Sequence, residues 1–173
     1  MVRDATAKDA EAIAQVHAAS WRDTYSGLLP EPVIANFGYE RTLARWRERL
    51  PATPPQAILL WGDPPVGYVY CGREREGDPL YRGEVYAIYL LAGEQGKGGG
   101  RALMTAAALR LAEAGMTSML VWVLRENLSA RGFYERLGGV FLREKRLGWP
   151  GTDAFEVAYG WADTAALRSG AAS

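Results

Sequence analysis

Cysteine and histidine are nearly missing from this chain of 173 residues, which contains one of each, Cys71 and His17. A single cysteine excludes an internal disulfide and a multi-cysteine metal site, and a zinc site with one histidine would depend mostly on carboxylates. We therefore expect no metal. The chain also lacks an apolar run of the roughly 20 residues that a membrane-spanning helix needs, and its first residues form no signal-peptide apolar segment. These absences predict a cytoplasmic protein without a membrane partner.

An excess of charge of either sign is absent as well. Twenty basic residues balance twenty acidic ones, and the sequence pI is near 6.6. Nucleic acids attract proteins mainly through basic surfaces, so we expect no nucleic-acid partner. Apolar residues make up 49% and charged residues 23%, which is typical of a folded chain of one domain. We assign residues 1–160 to that domain and expect residues 161–173, which end in small residues, to form a frayed tail.

Hydrophobic periodicity predicts a mixed α/β chain. Four stretches have the helical spacing of apolar residues, and six are short and rich in β-branched or aromatic residues, as strands are. The predicted helices cover residues 7–20, 39–50, 101–114 and 127–137. The predicted strands cover residues 56–61, 66–71, 84–91, 118–124, 140–146 and 153–159. The apolar segment 118–124 has the composition of a buried strand in a parallel sheet.

A glycine-rich segment, 93–100, joins the third predicted strand to a predicted helix. Free backbone N–H groups and the positive end of the helix dipole make such a junction a binding site for phosphate groups. Glycine lacks a Cβ atom, so an anion can approach the main chain closely. The dinucleotide pattern G-x-G-x-x-G fails because Arg101 stands in its last position, and the P-loop pattern fails because Gly98 follows Lys97. A flexible turn that caps the helix is the alternative.

Two motifs resemble those of the GNAT superfamily of acyl-CoA-dependent N-acetyltransferases. Residues 95–103 (QGKGGGRAL) are similar to the pyrophosphate-binding loop of that family, Q/R-x-x-G-x-G/A. Residues 127–138 (NLSARGFYERLG) are similar to its N-x-x-A-x-x-F-Y-E-x-x-G segment, and residues 83–90 resemble the strand before the loop. The resemblance covers residues 2–160. It implies an α/β (α+β) fold with a mixed, mostly antiparallel central sheet of six to seven strands, flanked by helices and splayed at the acyl-CoA site.

Two positions depart from the family pattern. Gly99 stands where the family usually has an aliphatic residue, and Gly139 stands where an aromatic residue commonly follows Leu-Gly. We expect the change at Gly99 to remove a packing contact from the loop. Both changes bear on rigidity more than on chemistry, because neither removes a backbone N–H donor.

The resemblance implies acetyl-CoA as the acyl donor, with coenzyme A as the co-product. The main chain of residues 88–90 would pair with the pantetheine arm, and an N–H group near Leu90 would polarise the acetyl carbonyl. Asn127 would hydrogen-bond the same arm or cap a helix, and the two roles are compatible. Lys97 and Arg101 would add charge near the pyrophosphate or lie in solvent. The residues implied to bind the coenzyme are Ile88, Tyr89, Leu90, Gln95, Gly96, Lys97, Gly98, Gly99, Gly100, Arg101, Ala102, Asn127, Ala130 and Tyr134.

Acetyl transfer to an amine needs a neutral amine, a stabilised oxyanion and a proton for the departing thiolate. Tyr134 matches the family's general acid for that thiolate, although it also lies on an apolar helical face. Glu84 is the candidate base, because strand alternation places it on one face with Ile88 and Leu90. The alternative for Glu84 is a solvated carboxylate at the end of a strand, and Tyr86 could instead orient a water.

In this family, the region after the first helix commonly forms one wall of the acceptor site. Trp21 and Tyr25 lie there, and aromatic walls suit an amine through cation–π and apolar contacts. The alternative is a helix end that packs on the core. Tyr86 completes the predicted acceptor site, and His17 is predicted to be a core residue. The charged run 73–76 is interpreted as a solvated loop.

The sequence therefore predicts an N-acetyltransferase that moves an acetyl group from acetyl-CoA to a primary amine of a small molecule or a peptide. The amine would attack directly, through a tetrahedral intermediate, without a covalent acyl-enzyme. A non-catalytic acyl-CoA-binding or sensing module of the same fold is the alternative, and an interaction domain without coenzyme is the weakest interpretation. By analogy, the sheet edge implied by the terminal strands favours a homodimer.

Overall fold

Seven strands form one sheet in the computed structural model, which describes residues 1–169. The strands are β1 (Val2–Asp4), β2 (Ala57–Trp61), β3 (Gly67–Arg73), β4 (Gly83–Leu90), β5 (Met119–Leu124), β6 (Val140–Arg146) and β7 (Phe155–Trp161). They lie in the order β1-β2-β3-β4-β5-β7-β6, and every neighbouring pair is antiparallel except β4 with β5. The predicted mixed, mostly antiparallel sheet of six to seven strands is confirmed.

The described residues also form six α-helices. They are α1 (Ala10–Tyr25), α2 (Glu31–Ala35), α3 (Tyr39–Arg49), α4 (Gly99–Glu113), α5 (Leu128–Arg136) and α6 (Ala165–Ser169). Four of them were expected from the periodicity, whereas the short helices α2 and α6 were not. Helix α1 continues beyond its predicted end because Trp21, in the added turn, is buried against Val33 and Ile34 of α2.

The helices form two layers, one on each face of the sheet. Helices α1 and α3 cover one face, where Ile13 and Trp46 pack against Leu60 of β2. The alanine- and leucine-rich helix α4 covers the other face through Leu103 and Leu111. Burying each such side chain contributes roughly 1.5–3 kcal/mol, so these two layers supply the main stabilisation of the sheet.

Strand β4 contains a bulge that reverses its side-chain alternation. The pairing of β3 with β4 skips Tyr86, which has no partner on β3. As a result, Glu84 lies on the side of α1 and α3, whereas Ile88 and Leu90 pack with the α4 layer. The expectation that Glu84 shares a face with Ile88 and Leu90 is therefore wrong, because the alternating pattern of the sequence does not reveal the extra residue.

Beyond the bulge, β4 also separates from β5. The two strands pair in parallel only over residues 83–85 and 119–121, while β5 pairs with antiparallel β7 along its full length. The edge of β4 from residue 86 to residue 90 therefore faces a gap, as the predicted splay requires. Segment 118–124 was expected in a parallel sheet, and β5 is indeed parallel to β4 but antiparallel to β7.

Residues 161–169 continue the fold, so the prediction of a frayed tail is wrong for this stretch. Trp161 is the last residue of β7, and Leu167 of α6 is buried. The Thr105 hydroxyl of α4 donates a hydrogen bond to the Leu167 carbonyl oxygen (3.1 Å). A single leucine among small residues carries no periodic signal, yet its burial against α4 anchors a short helix. The rest of the predicted tail, residues 170–173, lies outside the described residues.

Candidate active site

The loop between β4 and α4 presents a row of open backbone donors. Gly96 and Gly98 have φ angles of +76° and +87°, in the left-handed region that favours glycine. Among the described residues, the N–H groups of residues 96–101 have no hydrogen-bond acceptor, and the first bond at the start of α4 runs from the Ala102 N–H to the Gly98 carbonyl. Together with the helix dipole, these donors give the loop the geometry of a phosphate-binding site.

Tryptophan side chains occupy the space beside the two glycines that depart from the family pattern. A Cβ atom on Gly99 would lie 2.7 Å from the Nε1 atom of Trp61, and one on Gly139 would lie 2.8 Å from the Cζ2 atom of Trp161. The expectation that Gly99 removes a packing contact is therefore wrong. The indole of Trp61 fills the volume that an aliphatic side chain would take.

The polar side chains predicted around the loop make mostly local contacts. Lys97 is exposed and pairs with Glu94 (3.1 Å), and Arg101 is exposed as well. Asn127 caps α5, since its Oδ1 atom accepts a hydrogen bond from the Ala130 N–H (3.2 Å). The capping role of Asn127 leaves its NH2 group available for a ligand.

Three tyrosines lie close together at the gap between β4 and β5. Tyr134 of α5 is buried in the same cluster as Ile88 and Leu90. The hydroxyl oxygens of Tyr25 and Tyr89 are 3.2 Å apart. Burial raises the pKa of Tyr134, and the nearby Tyr25 adds to the effect, so the phenol stays protonated. No group of the described residues hydrogen-bonds the Tyr134 hydroxyl, which leaves it available as a donor.

On the α1 side of the sheet, the gap opens into a cavity of about 320 Å³. Aromatic side chains are the largest group among its lining residues, and Arg45, Arg49 and Arg75 line it as well. Trp21 stacks on Phe37 with ring centroids 3.9 Å apart and lies 5.8 Å from the ring of Trp149. The predicted acceptor residues Trp21, Tyr25 and Tyr86 and the candidate base Glu84 all line this cavity. A volume and lining of this kind suit a small, partly apolar ligand.

Glu84 is held in an ion pair at the cavity. Arg75 donates to both oxygens of its carboxylate, from Nη2 to Oε1 (2.6 Å) and from Nε to Oε2 (3.1 Å). The Glu84 side chain is only 2% exposed, whereas that of Arg75 is 62% exposed. Tyr86 donates its hydroxyl hydrogen to the Arg73 carbonyl oxygen, and burial raises the pKa of Tyr86 to about 12. The charged run 73–76 is therefore more than the solvated loop predicted from the sequence, because Arg73 and Arg75 hold Tyr86 and Glu84 in place.

Comparison with known proteins identifies the family. Residues 13–139 match the model of the acetyltransferase (GNAT) family. The chain belongs to this family. A protein of Bacillus subtilis (strain 168), described as the uncharacterized N-acetyltransferase YuaI, is 33% identical over 171 residues, which cover 97% of this chain and 96% of that protein. A mycothiol acetyltransferase of Kocuria rhizophila is 40% identical over 62 residues, or 36% of this chain and 20% of that protein.

Two solved complexes with a coenzyme A compound share the fold of this GNAT chain. The PaiA N-acetyltransferase of Thermoplasma acidophilum, solved with coenzyme A, has a TM-score of 0.69 and 20% identity, over 93% of this chain and 98% of that one. YncA of Salmonella typhimurium, solved with acetyl-CoA, has a TM-score of 0.70 and 19% identity, over 93% of this chain and 92% of that one. These similarities confirm the predicted GNAT-like architecture.

Sequence reasoning missed a second carboxylate at the cavity of this GNAT chain. Glu156 of β7 lines the cavity, its side chain is 17% exposed, and its Oε1 atom lies 3.5 Å from the Lys145 Nζ atom. Burial raises the pKa of Glu156, while Lys145 opposes the shift. One signal could have found this residue, because a charged side chain within the apolar strand 155–161 is unusual.

His17 lies in the cavity wall as a neutral imidazole. Its ring stacks on Trp21 with centroids 5.5 Å apart, and its Nδ1 atom shares a hydrogen bond with the Tyr68 hydroxyl (2.5 Å). Burial, together with the charges of Arg49 and Arg45, lowers the pKa of His17 to about 4. The imidazole is therefore uncharged at neutral pH, and it contributes to the packing of the aromatic side chains rather than to the charge of the cavity.

The low pKa of His17 predicts an acid-side loss of stability. Between the ordinary pKa of 6.5 and the folded value of about 4, the unfolded chain binds a proton at His17 and the folded chain does not. At about 1.4 kcal/mol per pKa unit, the loss over that interval is roughly 3 kcal/mol. Urea unfolding at several pH values should show this fall for the wild type and a flatter profile for His17→Gln. Equal slopes for the two proteins would contradict the assignment.

Metal ligands and membrane spans are not apparent in the described part of the chain. Within residues 1–169, no three His, Cys, Asp or Glu side chains are grouped to hold a metal ion. No helix in this part is both long and apolar enough to cross a bilayer. Cys71 is fully buried, and burial raises the pKa of its thiol to about 12, so it is a core residue rather than a nucleophile.

Proposed function

We propose that this GNAT protein transfers the acetyl group of acetyl-CoA to the primary amine of a small molecule or a peptide. One observation carries the proposal: the open N–H groups of residues 96–101 and the aromatic cavity lie on either side of a single gap between β4 and β5. A donor anchored at the loop can reach an acceptor in the cavity through that gap. Direct transfer then needs no covalent acyl-enzyme.

The loop and the free edge of β4 would bind the coenzyme. The backbone of residues 95–102 would hold the pyrophosphate, and the unpaired main chain of residues 88–90 would hold the pantetheine arm. Lys97 and Arg101 would add charge from solvent, and Asn127 would donate through its NH2 group. Two observations support this fit, namely the open donors of the loop and the loss of pairing between β4 and β5 after residue 85. When bound, acetyl-CoA supplies an activated thioester.

The acid in this proposal is Tyr134, which would protonate the departing thiolate. Its support is a buried side chain with a raised pKa, whose hydroxyl has no partner among the described residues. The N–H group near Leu90 would stabilise the oxyanion. The sequence predicts Glu84 as the base, with Tyr86 orienting a water as the alternative. The two hydrogen bonds from Arg75 limit Glu84 as a base, since both oxygens of its carboxylate already accept a hydrogen bond.

The aromatic lining supports an acceptor amine with an apolar or aromatic group. Trp21 and Tyr25 would contact that group, and the cavity volume favours a small molecule or a single peptide terminus. Cytoplasmic location and a homodimer stay predictions. Strand β6 lies at the edge of the sheet with Val140 and Phe141 exposed, which is where a second copy could add a strand.

The proposed function predicts thiol release that depends on an amine N–H. Purified protein should bind acetyl-CoA in a calorimetric titration. It should then release coenzyme A thiol with members of a panel of primary amines: 2-phenylethylamine, putrescine and a short peptide with a free amino terminus. The matched control is N,N-dimethyl-2-phenylethylamine, which has the same aromatic group but cannot form a stable amide.

Mass spectrometry of the product distinguishes the outcomes. An acetylated primary amine supports the transferase. Binding of acetyl-CoA without acetylation of any amine favours the non-catalytic binding module. If the protein binds no acetyl-CoA, the proposed donor is wrong and the interaction-domain interpretation leads.

A further inference from the structure

Two carboxylates line the acceptor cavity, and their surroundings differ sharply. Glu84 is 2% exposed, and Arg75 donates to both of its oxygens. The Arg75 main-chain N–H donates to Oε2 as well (3.2 Å). A carboxylate that accepts from an arginine on both oxygens has no oxygen left open toward a ligand in the cavity. A general base needs the opposite arrangement, with an oxygen open toward the proton that it takes.

Glu156 has that opposite arrangement. It lies on β7 opposite Leu124 of β5 and lines the cavity, and β5 forms the far side of the gap from β4. The side chain is 17% exposed, and its salt-bridge partner among the described residues is Lys145, at 3.5 Å. Lys145 is shared, because it also bonds to Glu76. The carboxylate of Glu156 is therefore partly desolvated and only loosely paired.

We propose that Glu156, and not Glu84, takes the proton from the ammonium group of the acceptor. This inference rests on the proposed transferase function and adds the residue that makes the amine nucleophilic. Carboxylate and ammonium are complementary in charge, and the aromatic walls place the rest of the acceptor beside them. The same contact would orient the nitrogen lone pair toward the gap once the proton has left.

The direction of the Glu156 pKa shift supports its role as the proton acceptor. Burial is the main cause that raises the pKa of Glu156; Lys145 and Arg75 lower it, and Glu76 raises it. Tyr25 of α1 faces the same space. Burial raises the pKa of Tyr25, the hydrogen bond to Tyr89 opposes the shift, and the charge of Glu156 adds to it. A carboxyl with a raised pKa is the better proton acceptor near neutral pH.

The proton transfers balance as follows. An ammonium R–NH3+ loses one proton to Glu156, and the neutral nitrogen then forms the N–C bond to the acetyl carbon, which gives the tetrahedral intermediate from which the C–S bond breaks. The sulfur leaves with the electron pair of that bond and takes the proton of the Tyr134 hydroxyl. The nitrogen loses a second proton on its way to the amide, and this proton restores Tyr134. Glu156 passes its proton to solvent at the cavity mouth, so the net release is one proton per acetyl group.

The test compares three glutamine variants of the full chain: Glu156→Gln, Glu84→Gln and Glu144→Gln. Glu144 is a matched control on β6, because it is exposed and pairs only with Arg125 (3.7 Å) among the described residues. For each protein, kcat and KM are measured from about pH 6 to about pH 9.5 with 2-phenylethylamine, or with the fastest amine of the panel. Thermal unfolding and acetyl-CoA titration verify that each variant folds and binds the donor.

We expect Glu156→Gln to lower kcat/KM at pH 7 about 100-fold, which is typical for loss of a general base. The deficit should shrink as the pH rises, because the amine then loses its proton without help. Glu156→Asp should recover part of the rate, and Glu144→Gln should match the wild type. A role of Glu156 in packing alone would give a deficit that does not change with pH.

Several results would overturn the proposal. Wild-type kinetics in Glu156→Gln would do so, as would a pH-independent deficit, or a pH-dependent deficit in Glu84→Gln instead. These outcomes differ from a failure of the proposed function, in which the wild type binds no acetyl-CoA or acetylates no amine. If the wild type binds no acetyl-CoA or acetylates no amine, both the proposed function and the role of Glu156 are wrong.

Discussion

Substituting glutamate for Gly98 should abolish acetyl-CoA binding in a protein that still folds. Gly98 has φ +87° and stands at the start of α4, among the open N–H groups. A glutamate there adds a negative charge and a side chain where a diphosphate would approach, and an L-residue at this φ costs roughly 1–2 kcal/mol. We expect the affinity for acetyl-CoA to fall by at least about 1,000-fold, or about 4 kcal/mol, in a calorimetric titration.

The other end of α4 provides the control. Gly115 follows the helix with φ +80° and has open space around it, so Gly115→Glu introduces comparable strain and the same charge far from the loop. The acetyl-CoA affinity of Gly115→Glu should stay within about 2-fold of the wild type. Its free energy of unfolding should fall by about as much as that of Gly98→Glu. Equal affinities of the two variants for acetyl-CoA would place the coenzyme elsewhere.

The Tyr134→Phe variant should turn over about 1,000-fold more slowly, with acetyl-CoA affinity unchanged. The substitution removes one hydroxyl and keeps the buried ring, so the thiolate would have to leave without its proton donor. Stopped-flow measurement of thiol release under single-turnover conditions isolates this step from product release.

A second buried tyrosine controls for the loss of a phenol. Tyr159 of β7 lies in the same apolar cluster, but its hydroxyl donates to Glu135 (2.7 Å) and accepts from Arg131. Tyr159→Phe should lower stability by about 1 kcal/mol, as expected for one hydrogen bond, and leave kcat unchanged. If Tyr134→Phe lowers kcat no more than Tyr159→Phe does, another group protonates the sulfur.

The backbone geometry of the loop between β4 and α4 could be predicted from the sequence because its signals are local. Glycines 96 and 98 need a left-handed backbone, and the alanine-rich segment after them favours a helix, so nearby residues determine the whole junction. Asn127 could be predicted for the same reason, since its capping contact reaches only to Ala130. In each case, the residues that decide the structure lie within a few positions of each other.

The cavity on the α1 side of the sheet could be predicted only in part, because distant residues determine it. The bulge at Tyr86 reverses the face of every later side chain on β4, and alternation alone does not contain that information. Nothing near Glu84 in the sequence indicates its ion pair with Arg75, which depends on the return of the chain after β3. Trp61 beside Gly99 is a similar case, since 38 positions separate two residues whose volumes compensate each other.

The bulge at Tyr86 has an evolutionary consequence. On the bulged strand, Ala87 and Tyr89 face the acceptor cavity, whereas Ile88 and Leu90 face the layer that carries the coenzyme loop. Under the proposed function, neighbouring codons thus encode two surfaces that meet different ligands. Substitutions at every second position of this strand would then change the amine specificity and leave the donor side intact, so that one coenzyme site could be inherited alongside many different acceptor pockets.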